Sequence, residues 1–515
     1  MVKEISFGTS GMRGLMGEGP DRLNPQTVAK AALGLARHLK KGVVVIGYDN
    51  RHNSRLFAEI SARVLLASNI KTLVFNEIRP SPYLSFVIRH LQCDAGIMIT
   101  ASHNPKEYNG FEVYGPEGGE IAPDVEEKIV KEIKEIQGEV AMADPSLVEW
   151  VPLDAWDKAY FKAIEPLQRY RLENQKGGSE LNIIYSSLHG TGITLAPRAL
   201  KGWGFTTIDF VQQQIVPDPD FQTLMAPNPE EKEALKLGIE KLEKTKADIL
   251  IVNDCDADRI GIVVMHEGKA RIVNGNEFAA ICAHHICKAG GYPKNGAFII
   301  SYVTTELIKV MASKFEIACF EVPTGFKYIA EMINSWDKTQ EYVFLFGAEE
   351  SFGCLLGTYC RNKDGIAADC FISEIALQMK KQGKTVIDLL YEIYRTYGIF
   401  RERQHSLKFS EDEKGLKKRS EIMQMLRTKP PGSIGEKKVV FIEDFLPKNH
   451  VPNSDMILFR LEDESKIIVR PSGTEPKLRI HITCHVKKFD SIDTGILAGD
   501  KHVEHLLNSF IEQVG

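Results

Sequence analysis

The chain has 515 residues, 43% of them hydrophobic and 26% charged, a globular balance spread over more than one core. Its 64 Lys+Arg and 69 Asp+Glu leave a net charge of −5, with no broad basic field, so nucleic acid is not an expected partner. No apolar run approaches the ~18–20 residues that cross a bilayer, and the opening Met1-Val2-Lys3-Glu4-Ile5-Ser6-Phe7 has no apolar leader. The expectation is a cytoplasmic protein without a membrane segment. Nine cysteines, none in a Cys-x-x-Cys pair, read as reduced core thiols. Cys282-Ala283-His284-His285-Ile286-Cys287 invites a zinc reading, but four converging ligands are needed and no second pair lies nearby. It is read as a buried helix face.

Asn24-Pro25 predicts a helix cap followed by proline at the first helical position. Val28, Ala32, Leu35 and Leu39 then recur at helical spacing, and Gly42 stops them. The apolar run 43–46 suits a strand covered on both faces. A helix over 54–67, a strand over 72–75, a helix after Pro82 and a strand over 95–100 continue the alternation. The pattern recurs with strands at 182–185 and 247–253, and again at 298–302 and 342–346. Strands alternating with helices predict α/β units around mainly parallel sheets. The last stretch differs: strands over 438–442, 456–461, 466–470 and 478–483 with short connections, then a helix over 502–513, read as a small α+β domain. Linkers are expected over 173–180, near Gly275, and over 411–418.

Ligands of α/β sheets bind beyond the carboxyl ends of strands, and unusual loops follow three predicted strands. The first is Ala101-Ser102-His103-Asn104-Pro105, either a capped turn or a nucleophilic hydroxyl beside an imidazole. The second is Asp254-Cys255-Asp256-Ala257-Asp258-Arg259, with carboxylates at alternate positions of a segment read as extended. Without a cation they repel, which favours a hard ion held by oxygen, Mg²⁺ first, over an acidic surface turn. A calcium loop is excluded, because Arg259 stands where its glycine is needed and Met265 where its glutamate is needed. The third is Gly347-Ala348-Glu349-Glu350-Ser351, whose acceptors and hydroxyl suit a polyol ligand or a solvated loop equally. In the final domain Arg470-Pro471-Ser472-Gly473-Thr474-Glu475-Pro476-Lys477-Leu478-Arg479 is either a hairpin turn or a phosphate cradle. Gly383-Lys384-Thr385 lacks the earlier glycine of a P-loop, and Gly8-Thr9-Ser10-Gly11-Met12-Arg13-Gly14 lacks dinucleotide spacing and is read as preceding the first clear strand.

These four loops in this order resemble the α-D-phosphohexomutase family, which includes phosphoglucomutases and phosphomannomutases. The likeness extends over nearly the whole chain. It takes in Phe7–Gly14, Gly47-Tyr48-Asp49-Asn50-Arg51, Leu188-His189-Gly190-Thr191-Gly192, Pro217-Asp218-Pro219-Asp220-Phe221 and Pro227-Asn228-Pro229-Glu230. The resemblance implies an α/β chain of three similar α/β domains with mixed sheets plus a C-terminal α+β domain, around a central active-site cleft. The corresponding divisions are 1–177, 178–278, 279–405 and 406–515. It implies that Ser102 is carried as phosphoserine and that Mg²⁺ is bound by Asp254, Asp256, Asp258 and a phosphoserine oxygen. Thr324, Gly325, Lys327, Glu349 and Ser351 would meet the sugar phosphate. Arg470, Ser472, Gly473, Thr474 and Arg479 would hold the phosphate not in transfer. A hexose 1,6-bisphosphate would be intermediate and activator, the partners would be sugar phosphates, and the molecule a monomer or weak homodimer.

Many relatives carry lysine in an Asn-Gly-x-Lys context after the serine motif, whereas this chain has Asn109-Gly110-Phe111-Glu112. His103 is therefore nominated as the helper at the serine, with Arg13 and Arg51 as charge partners and Arg259 facing the group in flight. Glu350 stands where dual-specificity phosphomannomutases commonly have methionine, and Thr324-Gly325-Phe326-Lys327 resembles the glucose-type loop. Glucose phosphates are the expected substrate, mannose phosphates second and pentose phosphates third. A Mg²⁺-dependent phosphatase and a phosphosugar sensor without turnover are the competing expectations.

Overall fold

The computed structural model describes residues 7–8, 11–410, 412–446, 454–472 and 477–514. Gly473 and Thr474 of the predicted cradle, and Thr9 and Ser10, lie outside the described residues. The chain forms two compact units, one of residues 1–300 and 325–387 and one of 301–324 and 388–515.

The first unit begins with β1 (Phe7–Gly8), β2 (Gly11–Leu15), α1 (Pro25–Leu39), β3 (Val43–Tyr48), α2 (Ser54–Ala67), β4 (Lys71–Phe75), α3 (Ser81–Leu91), β5 (Ala95–Ile99), β6 (Tyr108–Tyr114), α4 (Pro123–Lys134), β7 (Trp150–Val151), α5 (Asp154–Ile164) and α6 (Arg171–Gly177). Asn24 caps α1 with a reciprocal capping box, as its sequence predicts. The sheet order is β1-β2-β6-β5-β3-β4-β7. β3, β4, β5 and β7 are parallel, while β2 and β6 join antiparallel. The glycine-rich opening is thus an edge ribbon rather than a loop before the sheet: β6, which the sequence reading missed, supplies its partner.

The next sheet takes the order β12-β11-β10-β8-β9, from β8 (Ile183–Ser186), β9 (Ile208–Phe210), β10 (Ile249–Asn253), β11 (Ile260–His266) and β12 (Lys269–Val273). Helices α7 (Ala196–Trp203) and α8 (Lys232–Thr245) accompany it. A third group follows in the chain: α9 (Gly275–Ala289), β13 (Gly296–Ser301), α11 (Phe326–Thr339), β15 (Val343–Glu349), β16 (Gly353–Leu356) and α12 (Gly365–Lys380), while α10 (Leu307–Lys314), β14 (Ala318–Val322) and most of α13 (Val386–Tyr397) fall in the second unit. β13 runs parallel to β15, and β15 antiparallel to β16. Cys282, His284, His285 and Cys287 are buried in α9, where His285 Nε2 lies 2.9 Å from Glu374, so the group is a core helix face.

The second unit contains β17 (Ile399–Lys408), α14 (Glu413–Thr428), β18 (Ser433–Ile434), β19 (Lys437–Asp444), β20 (Ile457–Leu461), β21 (Lys466–Pro471), β22 (Lys477–Val486) and α15 (Ile492–Val514). Its sheet order is β17-β22-β21-β20-β19-β18, antiparallel throughout, over a core that includes Ile422, Phe459, Ile467, Ile480, Leu506 and Phe510.

Three expectations are corrected. Residues 173–180 are helical rather than a linker, because Glu374 accepts from the backbone N–H groups of Arg169 and Tyr170 and from Asn174 and so fixes the entry to α6. Residues 413–418 open α14, capped by Asp412. The closing helix begins ten residues before the predicted start at 502.

Candidate active site

The serine loop follows β5, where the parallel strands end. Ser102 is 4% exposed and adopts φ 47°, a left-handed conformation that costs a non-glycine residue energy. Its neighbours hold it there. Its N–H donates to Thr100 Oγ1 at 2.8 Å, and the Arg51 guanidinium donates to the carbonyls of Ser102, Asn104, Pro105 and Tyr108 at 2.5, 2.6, 2.8 and 3.1 Å. Arg51 is in turn paired with Asp49 at 3.2 Å, both side chains fully buried. Arg51 thus ties together the loop that the sequence marks only by its serine.

The Ser102 hydroxyl donates to Asp254 Oδ2 at 3.0 Å, and His103 Nδ1 lies 3.1 Å from Ser102 Oγ. Two segments 152 residues apart therefore meet at the candidate nucleophile. Burial, reinforced by the cations Arg259, Arg13, Lys363 and Arg51, holds His103 well below the usual imidazole range. A neutral imidazole among four cations marks a place prepared for an anion.

The acidic loop is a turn rather than the extended segment expected, with Ala257 at φ 51°. The turn brings oxygens of Asp254, Asp256 and Asp258 within 4.8 Å of one another, closer than alternate residues of a strand at about 3.3 Å per residue would stand. Backbone packing fixes it: Thr191 N–H donates to Cys255 O at 2.7 Å and Gly365 N–H to Ala257 O at 3.1 Å. A Cβ at Gly365 would press on the Ala257 and Arg259 carbonyls at 2.7 and 2.8 Å. The three carboxylates are 0%, 1% and 5% exposed. Burial and then Asp258 and Asp256 push Asp254 far above the carboxylate range, and burial with Asp258 pushes Asp256 up to about 6.

Each carboxylate is oriented by donors from the protein, Asp254 through both of its oxygens. Arg259 N–H donates to Asp254 Oδ1 at 3.0 Å, Ser81 Oγ to Asp256 Oδ2 at 2.6 Å, and Lys363 Nζ pairs with Asp258 Oδ2 at 2.7 Å. Among the described residues the other oxygens of Asp256 and Asp258 are buried without a hydrogen-bond partner, that of Asp258 lying 3.9 Å from Arg259 Nε. Unpaired carboxylate oxygen is costly when dry. An all-oxygen set with outer donors orienting each ligand fits Mg²⁺. Cys255 turns away, its Sγ 3.5 Å from Asp49 and Asn50.

Arg13 lies on β2 and pairs with Glu112 at 2.7 Å, its other nitrogen 3.4 Å from Asn104 Oδ1. Arg259 pairs with Glu230 at 2.6 Å. The strand before the sugar loop is longer than predicted: β15 runs on to Glu349, because β16 pairs with its last four residues, so that Glu350 and Ser351 follow its end while Glu349 lies within it. Buried Glu349 accepts from Gly325 N–H at 2.8 Å, so these two predicted contacts are neighbours. Lys327 is buried on α11 and Ser351 half-buried in the turn after β15.

In the second unit, Thr324 is half-buried. Arg470 and Arg479 are directly opposite in the β21–β22 ladder, and Ser472 N–H donates to Lys477 O at 2.9 Å. The two guanidinium groups thus place like charges on one face of the ladder. Burial and these two arginines hold His481 well below the imidazole range.

Sequence reasoning missed Ser81, Lys363 and the tethering role of Arg51. Lys363 had one usable signal: Asp364-Gly365 is a helix cap that ends beside the acidic loop, but its contact crosses 105 positions of sequence.

The chain matches three family models: phosphoglucomutase/phosphomannomutase alpha/beta/alpha domain I over residues 4–139, domain II over 158–268 and domain III over 274–397. It is 35% identical over 513 residues to a phosphoglucomutase of Staphylococcus haemolyticus, covering 96% of this chain and 92% of that one. Among solved structures it resembles the phosphoglucomutase parafusin from Paramecium, with TM-score 0.74 and 20% identity over 100% of this chain and 97% of that one. It also resembles an Aspergillus fumigatus N-acetylphosphoglucosamine mutase crystallised with GlcNAc-6P and magnesium, with TM-score 0.54 and 12% identity over 100% and 96%.

Proposed function

The chain belongs to the phosphoglucomutase/phosphomannomutase family of α-D-phosphohexomutases, and from that premise we propose that it interconverts glucose 1-phosphate and glucose 6-phosphate through phosphoserine at Ser102 and glucose 1,6-bisphosphate. Phosphosugar mutase chemistry, an isomerisation by phosphoryl transfer, follows from the family. The substrate and the covalent carrier are our reading. The observation that carries it is the Ser102 hydroxyl 3.0 Å from Asp254 of the acidic trio and 3.1 Å from His103, on which Arg259, Arg13, Lys363 and Arg51 all act.

In the forward half-reaction the bond between phosphorus and Ser102 Oγ breaks, and a bond from phosphorus to a sugar hydroxyl forms. The hydroxyl proton leaves the sugar, and Oγ regains one. His103, kept neutral and 3.1 Å from Oγ, holds or passes a proton at that atom. Arg51 fixes the loop so that Oγ keeps its aim. Arg13 and Arg259 face the charge spread over the phosphoryl oxygens. Asp254, Asp256, Asp258 and Ser102 would hold Mg²⁺, which, when bound, neutralises charge on the phosphoryl group and eases departure of the serine oxygen. Glu349 with Gly325, Lys327, Ser351 and Thr324 is assigned to sugar recognition. Arg470, Ser472, Gly473, Thr474 and Arg479 are assigned to the resting phosphate, supported by the opposed arginine pair. In the second half-reaction the bisphosphate, turned end for end, returns its other phosphate to Ser102. The domain divisions 1–177, 178–278, 279–405 and 406–515 are proposed with this assignment.

The test is a side-by-side assay of glucose, mannose, glucosamine and ribose 1-phosphates with the matching bisphosphates, following isomerised product and released inorganic phosphate. Fastest turnover on glucose 1-phosphate with little free phosphate is expected. Predominant release of inorganic phosphate would indicate a phosphatase instead, and preference for mannose or ribose would overturn the substrate assignment.

A further inference from the structure

Glu112 stands near the end of β6, a strand buried over most of its length. β2 pairs with it so that Arg13 lies opposite Gly110, on the same face as Glu112. Gly110 lets the Thr100 backbone come close: a Cβ there would stand 2.3 Å from the Thr100 carbonyl oxygen. The Arg13 side chain meets Glu112 Oε1 at 2.7 Å. Its other end reaches Asn104, two residues beyond Ser102, at 3.4 Å. Arg13 is 28% exposed and Glu112 5%, so the cation faces the site while its partner stays dry behind it. Tyr114 donates to Glu112 Oε2 at 3.4 Å and is itself fixed by Asn362 at 3.0 Å.

We infer that Glu112 is a positioning residue for Arg13, holding the guanidinium at the serine loop and setting how much of its positive charge a phosphate at Ser102 meets. This rests on the reading of Ser102 as the phosphoryl carrier. With Glu112 ionised, the pair is locally neutral. With Glu112 protonated, Arg13 keeps its place and offers a full charge. The groups facing Glu112 are Arg13 on β2, Tyr114 on its own strand, Glu120 beyond it and Asp256 of the acidic loop. Burial, opposed by Arg13 and reinforced by Glu120 and Asp256, pushes the carboxyl up to about 8. A phosphate monoester is already dianionic there, with its second pKa about 6. The charge lost on raising the pH is therefore the protein's.

The experiment measures KM and the calorimetric Kd for glucose 1-phosphate from about pH 6 to above pH 8 in the Mg²⁺-loaded wild type, where the cation offsets the Asp256 charge and draws the Glu112 carboxyl below its metal-free position, and in Glu112→Gln. Wild-type affinity should weaken about tenfold across that interval, the scale of one partly screened charge. Glu112→Gln should bind as tightly as the low-pH wild type at every pH, because the amide keeps the shape and a hydrogen bond without the charge. A wild-type affinity flat in pH overturns the inference, and this needs no variant to fold. A Glu112→Gln profile that still falls through the same pH also overturns it and leaves a structural role only. PH-dependent binding without any isomerisation would refute the mutase reading and still support the Arg13–Glu112 device.

Discussion

Replacing Arg51 by methionine tests whether the serine loop is held from beneath. The guanidinium supports four carbonyls at 2.5–3.1 Å and neutralises Asp49 at 3.2 Å. Stripping one partner from a buried ion pair costs about 3–5 kcal/mol. Asp49 retains bonds from Arg51 N–H and Ser54 Oγ, which keeps the charge term at the low end of that range. The loop carbonyls lose about 1 kcal/mol each where water cannot replace the donor, as at the buried Ser102 carbonyl. The sum is about 4 kcal/mol, charged mainly to the 101–108 segment. At 1.4 kcal/mol per decade, the population with Ser102 correctly aimed falls about a thousandfold. The expected result is a comparable fall in kcat/KM, with faster amide exchange over 101–108 and near-normal exchange in the strands. Arg51→Lys, able to serve only some of the carbonyls, should fall between. Wild-type activity and exchange in Arg51→Met would refute the reasoning.

Three further outcomes follow from the acidic loop and the sugar loop. Asp256→Asn removes one charge and one buried acceptor, so the Mg²⁺ concentration for half-maximal activity should rise steeply while circular dichroism stays unchanged; an unaltered requirement would remove Asp256 from the ligand set. In metal-free protein the Asp256 carboxyl lies above its unfolded value, so the native state binds the extra proton and stability falls as pH rises from about 4 through about 6. The shift from the ordinary value to about 6 is worth on the order of 3 kcal/mol in this fully buried group. Asp256→Asn should abolish that part of the pH dependence, and Mg²⁺ at a hundredfold over its Kd should add about 2.7 kcal/mol to the wild type, both read by thermal unfolding. Glu349→Gln weakens the tie to Gly325 and the acceptor for sugar hydroxyls, so KM for glucose 1-phosphate should rise about tenfold, the scale of one charged hydrogen bond, with little change in Tm.

Periodicity carried the sequence reading well where strands are buried on both faces. The runs 43–46, 95–100 and 247–253 fall in or around β3, β5 and β10, and the loops beyond β5 and β10 are where Ser102 and the aspartates meet. It carried poorly where pairing comes from afar. β6 looks irregular because it contains Asn109, Gly110 and Glu112, each answering to another element: Asn109 to the His52 carbonyl, Gly110 to the close approach of Thr100, and Glu112 to Arg13. The tether from Arg51 to the serine loop and the pairing of Lys363 with Asp258 could not be read locally, since these partners lie 51–57 and 105 positions away. The extended reading of the acidic loop failed because alternation of charge looks the same in a strand and in a turn. The left-handed Ala257 gives no warning in composition.

The central claim is that Ser102 carries the phosphoryl group. Purified protein should be incubated with glucose 1,6-bisphosphate and Mg²⁺, then digested and its peptides analysed by mass spectrometry. One phosphoryl group on Ser102, lost on chasing with glucose 1-phosphate and absent with all turnover in Ser102→Ala, is the predicted result. An unmodified Ser102 peptide together with full isomerase activity in Ser102→Ala would contradict it.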